Sequence, residues 1–192
     1  PMVTKAIQDQ ANTLIHCSNL YQIPEQESLA IKLCELSNMD TVFFSNSGAE
    51  ANEAAIKLAR LYGHKQGVEK PVIIVTEQSF HGRTMATLSA TGNRKVQAGF
   101  EPLLSGFARV PFGDIEAIRQ VALNNKNVVA IFVEPIQGEG GIQIPPPYYL
   151  NALRQIADEE DWLMMVDEVQ SGMGRTGAWF AHQHNKIIPD VM

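Results

Sequence analysis

Two adjacent acids follow a short apolar run in the second half of the chain. Asp167 and Glu168 come directly after Leu163–Val166, whose length and composition predict a buried parallel strand. A carboxylate at the carboxyl end of such a strand lies where open α/β sheets bind their ligands. Because the same residue type also caps turns, the sequence at this position alone leaves both interpretations open.

A second candidate site is the stretch of small residues 45–49, which precedes a helix predicted over 51–62. The free N–H groups and the positive end of a helix start bind anions, and Gly48 allows a phosphate to approach the backbone closely. Ser47 and Glu50 also fit a capping box, so an ordinary capped helix start is the alternative. Neither a nucleotide P-loop motif nor a dinucleotide fingerprint is present.

Two further strand ends carry residue types that suit ligand binding. Phe80 can lie flat on a planar ligand, and Arg83 can bind a carboxylate through two parallel hydrogen bonds. A core Phe and a surface Arg are the alternatives. The strand predicted over 128–133 ends on the segment 134–141, which contains two acids and three glycines. Glycines permit tight backbone near a ligand, and the acids supply charge.

Strands predicted at 41–45, 72–76, 128–133 and 163–166 alternate with helices. This alternation predicts an α/β fold with a parallel sheet and right-handed crossovers. Because the carboxyl ends of parallel strands meet at one edge, all four clusters should lie together. Four coincident clusters favour an active site over four unrelated turns.

The remaining expectations concern helices and a loop. The helix over 51–62 should end at Gly63, and its Glu53 should pair with Lys57 one turn away. Residues 84–109 should form an irregular surface excursion. Further helices are predicted at 3–16, at 27–36, after a cap at Asp114, and at 148–160 with a proline at the first position.

Composition narrows the function classes. The 192 residues are 45% hydrophobic and 19% charged, which is typical of a globular domain. A net charge of −6 without a Lys/Arg cluster disfavours binding to nucleic acid or an anionic membrane. Cys17 and Cys34 lack metal or redox spacing and read as reduced cytoplasmic thiols, although one disulfide stays open. No metal site and no membrane span are expected.

An anion pocket, an aromatic plate, an Arg fork and a buried Asp together suit a phosphorylated, flat, heteroaromatic cofactor. Pyridoxal phosphate is such a cofactor, and its ring acts as an electron sink. An ionised Asp facing the ring nitrogen keeps that nitrogen protonated, through a hydrogen bond worth roughly 1.5–3 kcal/mol.

At these residues the chain resembles the class III pyridoxal-phosphate-dependent aminotransferases. The resemblance covers nearly the whole chain and is carried by the segments 45–53, 80–84, 134–140 and 167–172. It implies the large domain of the fold type I transferases, a three-layer sandwich around a mainly parallel sheet. Residues 1–40 would form an N-terminal helical segment, and residues 41–192 the cofactor-binding domain.

The resemblance also implies roles for the residues that contact the cofactor. Ser47, Gly48 and Ala49 would bind its phosphate through hydroxyl and backbone donors. Phe80 would stack on one face of the pyridine ring, and Val169 would pack against the other.

Further roles follow from the same resemblance. Asp167 would hold the ring nitrogen, and Gln170 would hydrogen-bond the phenolic oxygen. Arg83 would bind the substrate α-carboxylate, and Glu139 would be the acid that pairs with a pocket arginine during one half-reaction. Glu134 would support these residues without touching the ligand.

Within the family the resemblance is strongest to the acetylornithine aminotransferase branch of arginine biosynthesis, also through residues 16–21. It implies a homodimer that transfers an amino group from N-acetylornithine to 2-oxoglutarate. Transamination of succinylornithine, succinyldiaminopimelate, ornithine or 4-aminobutyrate stays open, as does a non-catalytic anion-binding module. The Schiff-base lysine of the family is expected after Met192, so the chain is expected to be a fragment that is inactive alone and holds no catalytic residue of its own.

Overall fold

Two helices make up the N-terminal unit, Pro1–Val42, of the computed structural model, which describes residues 1–192. Helix α1 spans Met2–Thr13 and helix α2 spans Pro24–Ser37, which confirms the two helices predicted there. Proline at the first position of α2 lacks only an N–H that would have no partner at a helix start. No helix of the structure is both long and apolar enough to cross a membrane.

The second unit, Phe43–Met192, is built around a four-stranded sheet in which every pairing is parallel. The strands follow the order β2-β1-β3-β4. Its elements in chain order are α3 (Gly48–Lys65), β1 (Val72–Thr76), α4 (Met85–Ala90), α5 (Arg94–Gln97), β2 (Phe107–Val110), α6 (Ile115–Asn124), β3 (Val128–Val133), α7 (Tyr149–Glu160), β4 (Leu163–Val166) and a 3₁₀ helix (Ala181–Asn185).

Helices cover both faces of the sheet, so the unit has three layers. Alternate residues of β1 face opposite sides: Ile73 joins the cluster that contains Ile56 of α3, and Ile74 joins the cluster that contains Ile118 of α6 and Leu153 of α7. All six residues of β3 are buried. Each fully buried aliphatic side chain of this kind contributes about 1.5–3 kcal/mol, so the two clusters fix the sheet between its helices.

The strand order creates a crevice at the carboxyl ends of β1 and β3. After β1 the chain adds β2 on one side, and then crosses over to add β3 on the other side. Connections that leave neighbouring strands in opposite directions open a gap at that edge, where α/β sheets bind ligands. The loops that leave β1 and β3 therefore line the candidate site.

One of the four strands predicted from the sequence, at residues 41–45, is absent from the structure. Residues 41–45 form neither a helix nor a strand, and Phe43 is exposed there. The fourth strand is instead β2, inside the segment 84–109, which also contains α4 and α5. The expected irregular excursion is therefore wrong, because β2 is a short edge strand with a charged Arg109 and no apolar run.

Helix α3 continues past Gly63 to Lys65, so Gly63 does not end it. A Cβ at Gly63 would lie 2.6 Å from a methyl group of Val129, which shows that the glycine permits close packing on the sheet. Glu53 does not pair with Lys57. Its carboxylate accepts hydrogen bonds from the start of α4, at the Thr84 hydroxyl and the amides of residues 86 and 87.

The predicted caps were partly right. Asp114 accepts the amide of Ala117 at 2.9 Å and caps α6 as expected. Ser47 likewise accepts the amide of Glu50 at 3.2 Å, but the Glu50 carboxylate binds the amide of residue 46 instead of closing the box on Ser47. Helix α7 begins at Tyr149 after a left-handed Tyr148, so no proline occupies its first position.

Candidate active site

The exits of β1, β3 and β4 contact one another at the crevice. The Glu134 carboxylate, after β3, accepts the backbone N–H of Phe80, after β1, at 3.0 Å. His81 Nδ1, from the same β1 exit, lies 2.8 Å from Oδ2 of Asp167, after β4. Gln170 lies close to Gly138, where an added Cβ would be 3.6 Å from its side chain. Three of the predicted clusters therefore share one edge of the sheet.

The start of α3 completes this arrangement through two glycines. A Cβ at Gly48 would lie 2.8 Å from a methyl group of Val169, so only glycine fits there without displacement. Gly82 has a φ of 135° and approaches Ala49, whose Cβ would be 2.9 Å from a Cβ at position 82. The amide groups that begin α3 and the Asp167–Gln170 segment are thus direct neighbours.

Asp167 is 6% exposed and receives three hydrogen bonds. Asn52 Nδ2 donates to Oδ2 at 2.7 Å, and His81 Nδ1 is the second partner of that oxygen. The backbone N–H of Val169 donates to Oδ1 at 3.1 Å. An ionised carboxylate accepts about four hydrogen bonds, so Asp167 retains capacity for one more donor.

Both the backbone and the ring of His81 are fixed by contacts with neighbouring residues. Its backbone N–H donates to the Thr91 hydroxyl at 3.0 Å, and its backbone carbonyl accepts from Asn52 at 2.8 Å. Its ring stacks on Phe132 of β3 with the centroids 4.0 Å apart. His81 Nε2 is buried and has no hydrogen-bond partner.

Glu134 is buried below the Phe80 loop. Burial raises the pKa of its carboxyl from an ordinary 4.5 to about 7, against the opposing effects of His81 and of the Phe80 amide. Since the carboxylate accepts that amide, Glu134 fixes the backbone that carries Phe80. It holds the loop in place and is covered by it.

The side of the crevice away from the core is open. Phe80 is half-buried, and Val169, which lies beside Gly48, is 60% exposed. Ser47 and Gln170 are exposed as well. Apolar surfaces that stay open beside a buried acid can accept a flat ligand between them.

The two predicted substrate residues are present but are not joined to each other. Arg83 is exposed, and its guanidinium lies 6.0 Å from the centroid of the Phe80 ring. Glu139 is exposed in the loop between Gln137 and Gln143, which pair across a short bridge. No ion pair or hydrogen bond connects Arg83 with Glu139.

Two residues of the network were absent from the predicted site. Asn52 and His81 contact Asp167 across 115 and 86 residues of sequence. A signal existed for Asn52, since it is a polar residue one helical turn after Gly48 on the buried face of α3. His81 lies between predicted site residues, but nothing in its spacing distinguishes a ligand-facing ring from a buried one.

The chain is similar to known proteins in both sequence and fold. The family model described as aminotransferase class-III matches residues 1–192. The acetylornithine aminotransferase of Nitrosomonas europaea is 62% identical over 192 residues, which are 100% of this chain and 49% of that protein. The chain thus spans about half the length of the curated relatives it matches.

Solved structures share the fold. The N-acetylornithine aminotransferase of Stenotrophomonas maltophilia superimposes with a TM-score of 0.83 at 36% identity, over 99% of this chain and 47% of that chain. The ornithine aminotransferase of Toxoplasma gondii superimposes with a TM-score of 0.93 at 32% identity, over 99% of this chain and 46% of that chain. That structure is described as having partial occupancy of PLP at its active site. The chain belongs to the class III aminotransferase family.

Proposed function

We propose that this chain is the cofactor-binding part of a pyridoxal-phosphate-dependent aminotransferase that acts on N-acetylornithine in arginine biosynthesis. One observation carries the proposal: Asp167, with acceptor capacity to spare, lies in the same small site as the start of α3. The first feature suits a protonated ring nitrogen, and the second suits a phosphate.

The residues fit the cofactor at both ends and on both faces. Ser47, Gly48 and Ala49 would bind the phosphate, since the N–H groups that begin an eighteen-residue helix lack helical partners. Phe80 and Val169, which are only partly covered, would contact the two faces of the ring.

The polar atoms that remain suit the rest of the ligand. Asp167 would accept the ring N–H, and Gln170 would donate to the phenolic oxygen. When bound, pyridoxal phosphate would withdraw electrons from the carbon that carries the reacting amino group, which is the δ-carbon of N-acetylornithine. Asp167 would favour this withdrawal by holding the proton on the ring nitrogen.

The substrate residues would act by charge. Arg83, whose planar guanidinium forms two parallel hydrogen bonds with a carboxylate, would bind the α-carboxylate of N-acetylornithine and of 2-oxoglutarate in turn. Glu139 would pair with a cationic group of the pocket in one half-reaction and release it in the other. Both side chains are exposed, so neither must break a buried ion pair to do so.

The transfer reaction belongs to the complete protein in this proposal, because the chain spans about half of its relatives. We propose a homodimer for that protein and no activity for the present residues alone. N-acetylornithine is the preferred amino donor because the 62% identity to an acetylornithine aminotransferase extends over the whole chain.

The test removes and restores the cofactor. The complete protein should convert N-acetylornithine and 2-oxoglutarate into N-acetylglutamate semialdehyde and glutamate, lose this activity on dialysis against a carbonyl reagent, and regain it with pyridoxal phosphate. Glutamate formation measured by a coupled assay reports each step. Activity that survives complete removal of the cofactor would contradict the proposal.

Ornithine is the second candidate donor, because the Toxoplasma gondii ornithine aminotransferase has the same fold at a TM-score of 0.93. The two donors differ in the charge of the α-nitrogen, which is an uncharged amide in N-acetylornithine and an ammonium in ornithine. A kcat/KM for ornithine above that for N-acetylornithine would favour this second candidate.

A further inference from the structure

The two oxygens of the Asp167 carboxylate are used unequally. Oδ2 has two partners, Asn52 Nδ2 at 2.7 Å and His81 Nδ1 at 2.8 Å. Oδ1 has one, the N–H of Val169 at 3.1 Å. The acceptor capacity that remains therefore belongs to Oδ1.

The partners of His81 fix the position of its proton. An ionised carboxylate only accepts hydrogen bonds, so the nitrogen that faces Asp167, Nδ1, carries the proton. Nε2 is buried without a partner, and the ring lies against Phe132. The ring therefore presents its Nδ1–H to Asp167 Oδ2 and makes no hydrogen bond through Nε2.

Asn52 connects the two groups. Its amide nitrogen donates both to Asp167 Oδ2 and to the backbone carbonyl of His81, at 2.7 and 2.8 Å. Both hydrogens of that amide are therefore used, and each fixes the position of a different strand exit relative to α3. The orientation of Asp167 depends on two residues that are themselves buried.

We propose that Asn52 and His81 are positioning residues that occupy Oδ2 of Asp167 and so direct Oδ1 alone to the ring nitrogen of the cofactor. Neither residue touches the ring; both act through Asp167. This inference rests on the proposed function for the identity of the ligand, but the hydrogen bonds that carry it exist without the ligand.

The test compares two ligands that differ at one atom. Cofactor-free complete protein is titrated with pyridoxal phosphate and with its analogue in which a C–H group replaces the ring nitrogen, and tryptophan fluorescence reports binding. Wild type should prefer pyridoxal phosphate by at least about tenfold, the effect of one hydrogen bond to a charged group. The ratio of the two dissociation constants is the quantity of interest.

Variants then separate positioning from folding. His81→Leu and Asn52→Leu should each reduce this ratio several-fold by weakening pyridoxal phosphate, and leave the affinity for the analogue within about twofold. His81→Asn keeps an N–H donor where Nδ1 lies and should preserve the ratio. The matched control is His182→Leu, which removes an equally buried imidazole from the adjacent Glu168 and should leave the ratio unchanged.

Two results would overturn the inference. Either His81→Leu and Asn52→Leu weaken both ligands equally, which is the behaviour of a purely structural residue, or they leave the ratio at its wild-type value. If His81→Leu does not fold, Asn52→Leu gives the same reading.

A second measurement needs no ligand and so separates this inference from the proposed function. In the ¹⁵N-histidine NMR spectrum of the cofactor-free protein at neutral pH, the resonances of His81 should show a proton on Nδ1. A His81 Nδ1 without a proton would overturn the inference even if the cofactor binds. Failure of wild type to bind pyridoxal phosphate, with the Nδ1 proton present, would instead count against the proposed function.

Discussion

Asp167 and Glu168 are consecutive buried carboxylates, each paired with a histidine Nδ1, yet their surroundings differ. Glu168 receives four hydrogen bonds, two on each oxygen, from Ser171, from the amides of Ala181 and His182, and from the His182 ring. Asp167 receives three. The hydrogen-bond acceptor capacity of Glu168 is therefore filled, whereas Asp167 can accept one more hydrogen bond.

The origin of the donors differs as well. All donors to Glu168 lie within 14 residues of it, so Glu168 anchors its own loop and the 3₁₀ helix. The side-chain donors to Asp167 come from 115 and 86 residues away, so Asp167 joins α3 and the β1 exit to β4. A carboxylate that gathers distant elements and keeps one acceptor free is placed for a ligand, whereas one that is filled by its neighbours is placed for stability.

The largest effect should come from Glu168→Gln. Burial alone would raise the pKa of Glu168, but hydrogen bonds from His182 and Ser171 outweigh it and lower that pKa. Replacing the charge leaves four donors facing a neutral amide, which should reduce the free energy of unfolding by about 3 kcal/mol. Urea unfolding measures it, with the exposed Glu159→Gln as a control that should unfold like wild type. Unchanged stability in Glu168→Gln would remove the contrast with Asp167.

Glu134 is a third buried carboxyl group, and the effect of its burial should appear in the pH dependence of stability. Its pKa of about 7 lies above the ordinary 4.5, so between these values the folded protein binds more protons than the unfolded chain. Stability should therefore be greatest below about pH 4.5 for this group and fall as pH rises to about 7, by up to roughly 3 kcal/mol. The difference in urea midpoint between wild type and Glu134→Gln, followed from pH 5 to pH 8, isolates this contribution. A difference that does not vary with pH would contradict it.

Asp167→Asn should act on ligand binding more than on folding. It keeps the shape of the side chain but removes the charge that faces the ring nitrogen, so the affinity for pyridoxal phosphate should fall roughly ten- to a hundredfold. Fluorescence titration of the cofactor-free complete protein measures this fall. Glu168→Gln, assayed below its unfolding midpoint, should change that affinity much less; equal losses in both variants would mean that the two acids share one role.

Glu53→Gln should have the smallest effect and shows what burial adds. Glu53 also collects several donors, from Thr84 and the first amides of α4, but it is only half-buried and water can replace it. Loss of this cap should reduce the free energy of unfolding by about 1 kcal/mol. Thermal unfolding would show it as a small decrease in Tm. A loss as large as that of Glu168→Gln would show that donor number matters more than burial.

The sequence predicted the parts of the fold that depend on local composition. β1, β3 and β4 are apolar runs, and their burial in a parallel sheet was predictable from those runs. β2 was missed because its pairing with β1 leaves Arg109 able to bind three carbonyl oxygens at the end of α4, a partner that no local pattern reveals. The composition of residues 41–45 is typical of a strand, but no other strand of the sheet pairs with them.

The candidate site was predictable to the same extent. Asp167 and Phe80 follow parallel strands whose carboxyl ends meet at one edge of the sheet, and Gly48 begins α3 beside Val169. Asn52 and His81 were missed because their role lies in contacts across more than eighty residues, which depend on the packing of α3 against the β1 exit. Glu134 was predicted to support the site, but its bond to the Phe80 amide required coordinates.

The contact between Gly48 and Val169 has a consequence for ligand length. The amides that suit an anion and the acid that suits a ring nitrogen belong to segments that touch, with no room for even one added methyl group at Gly48. Van der Waals contact between these two segments therefore sets the distance between the anion-binding amides and the carboxylate of Asp167. Gly48→Ala would push the start of α3 away from Val169 and so increase this distance. The substitution should therefore reduce the affinity for pyridoxal phosphate more than the affinity for a ligand that is one bond longer.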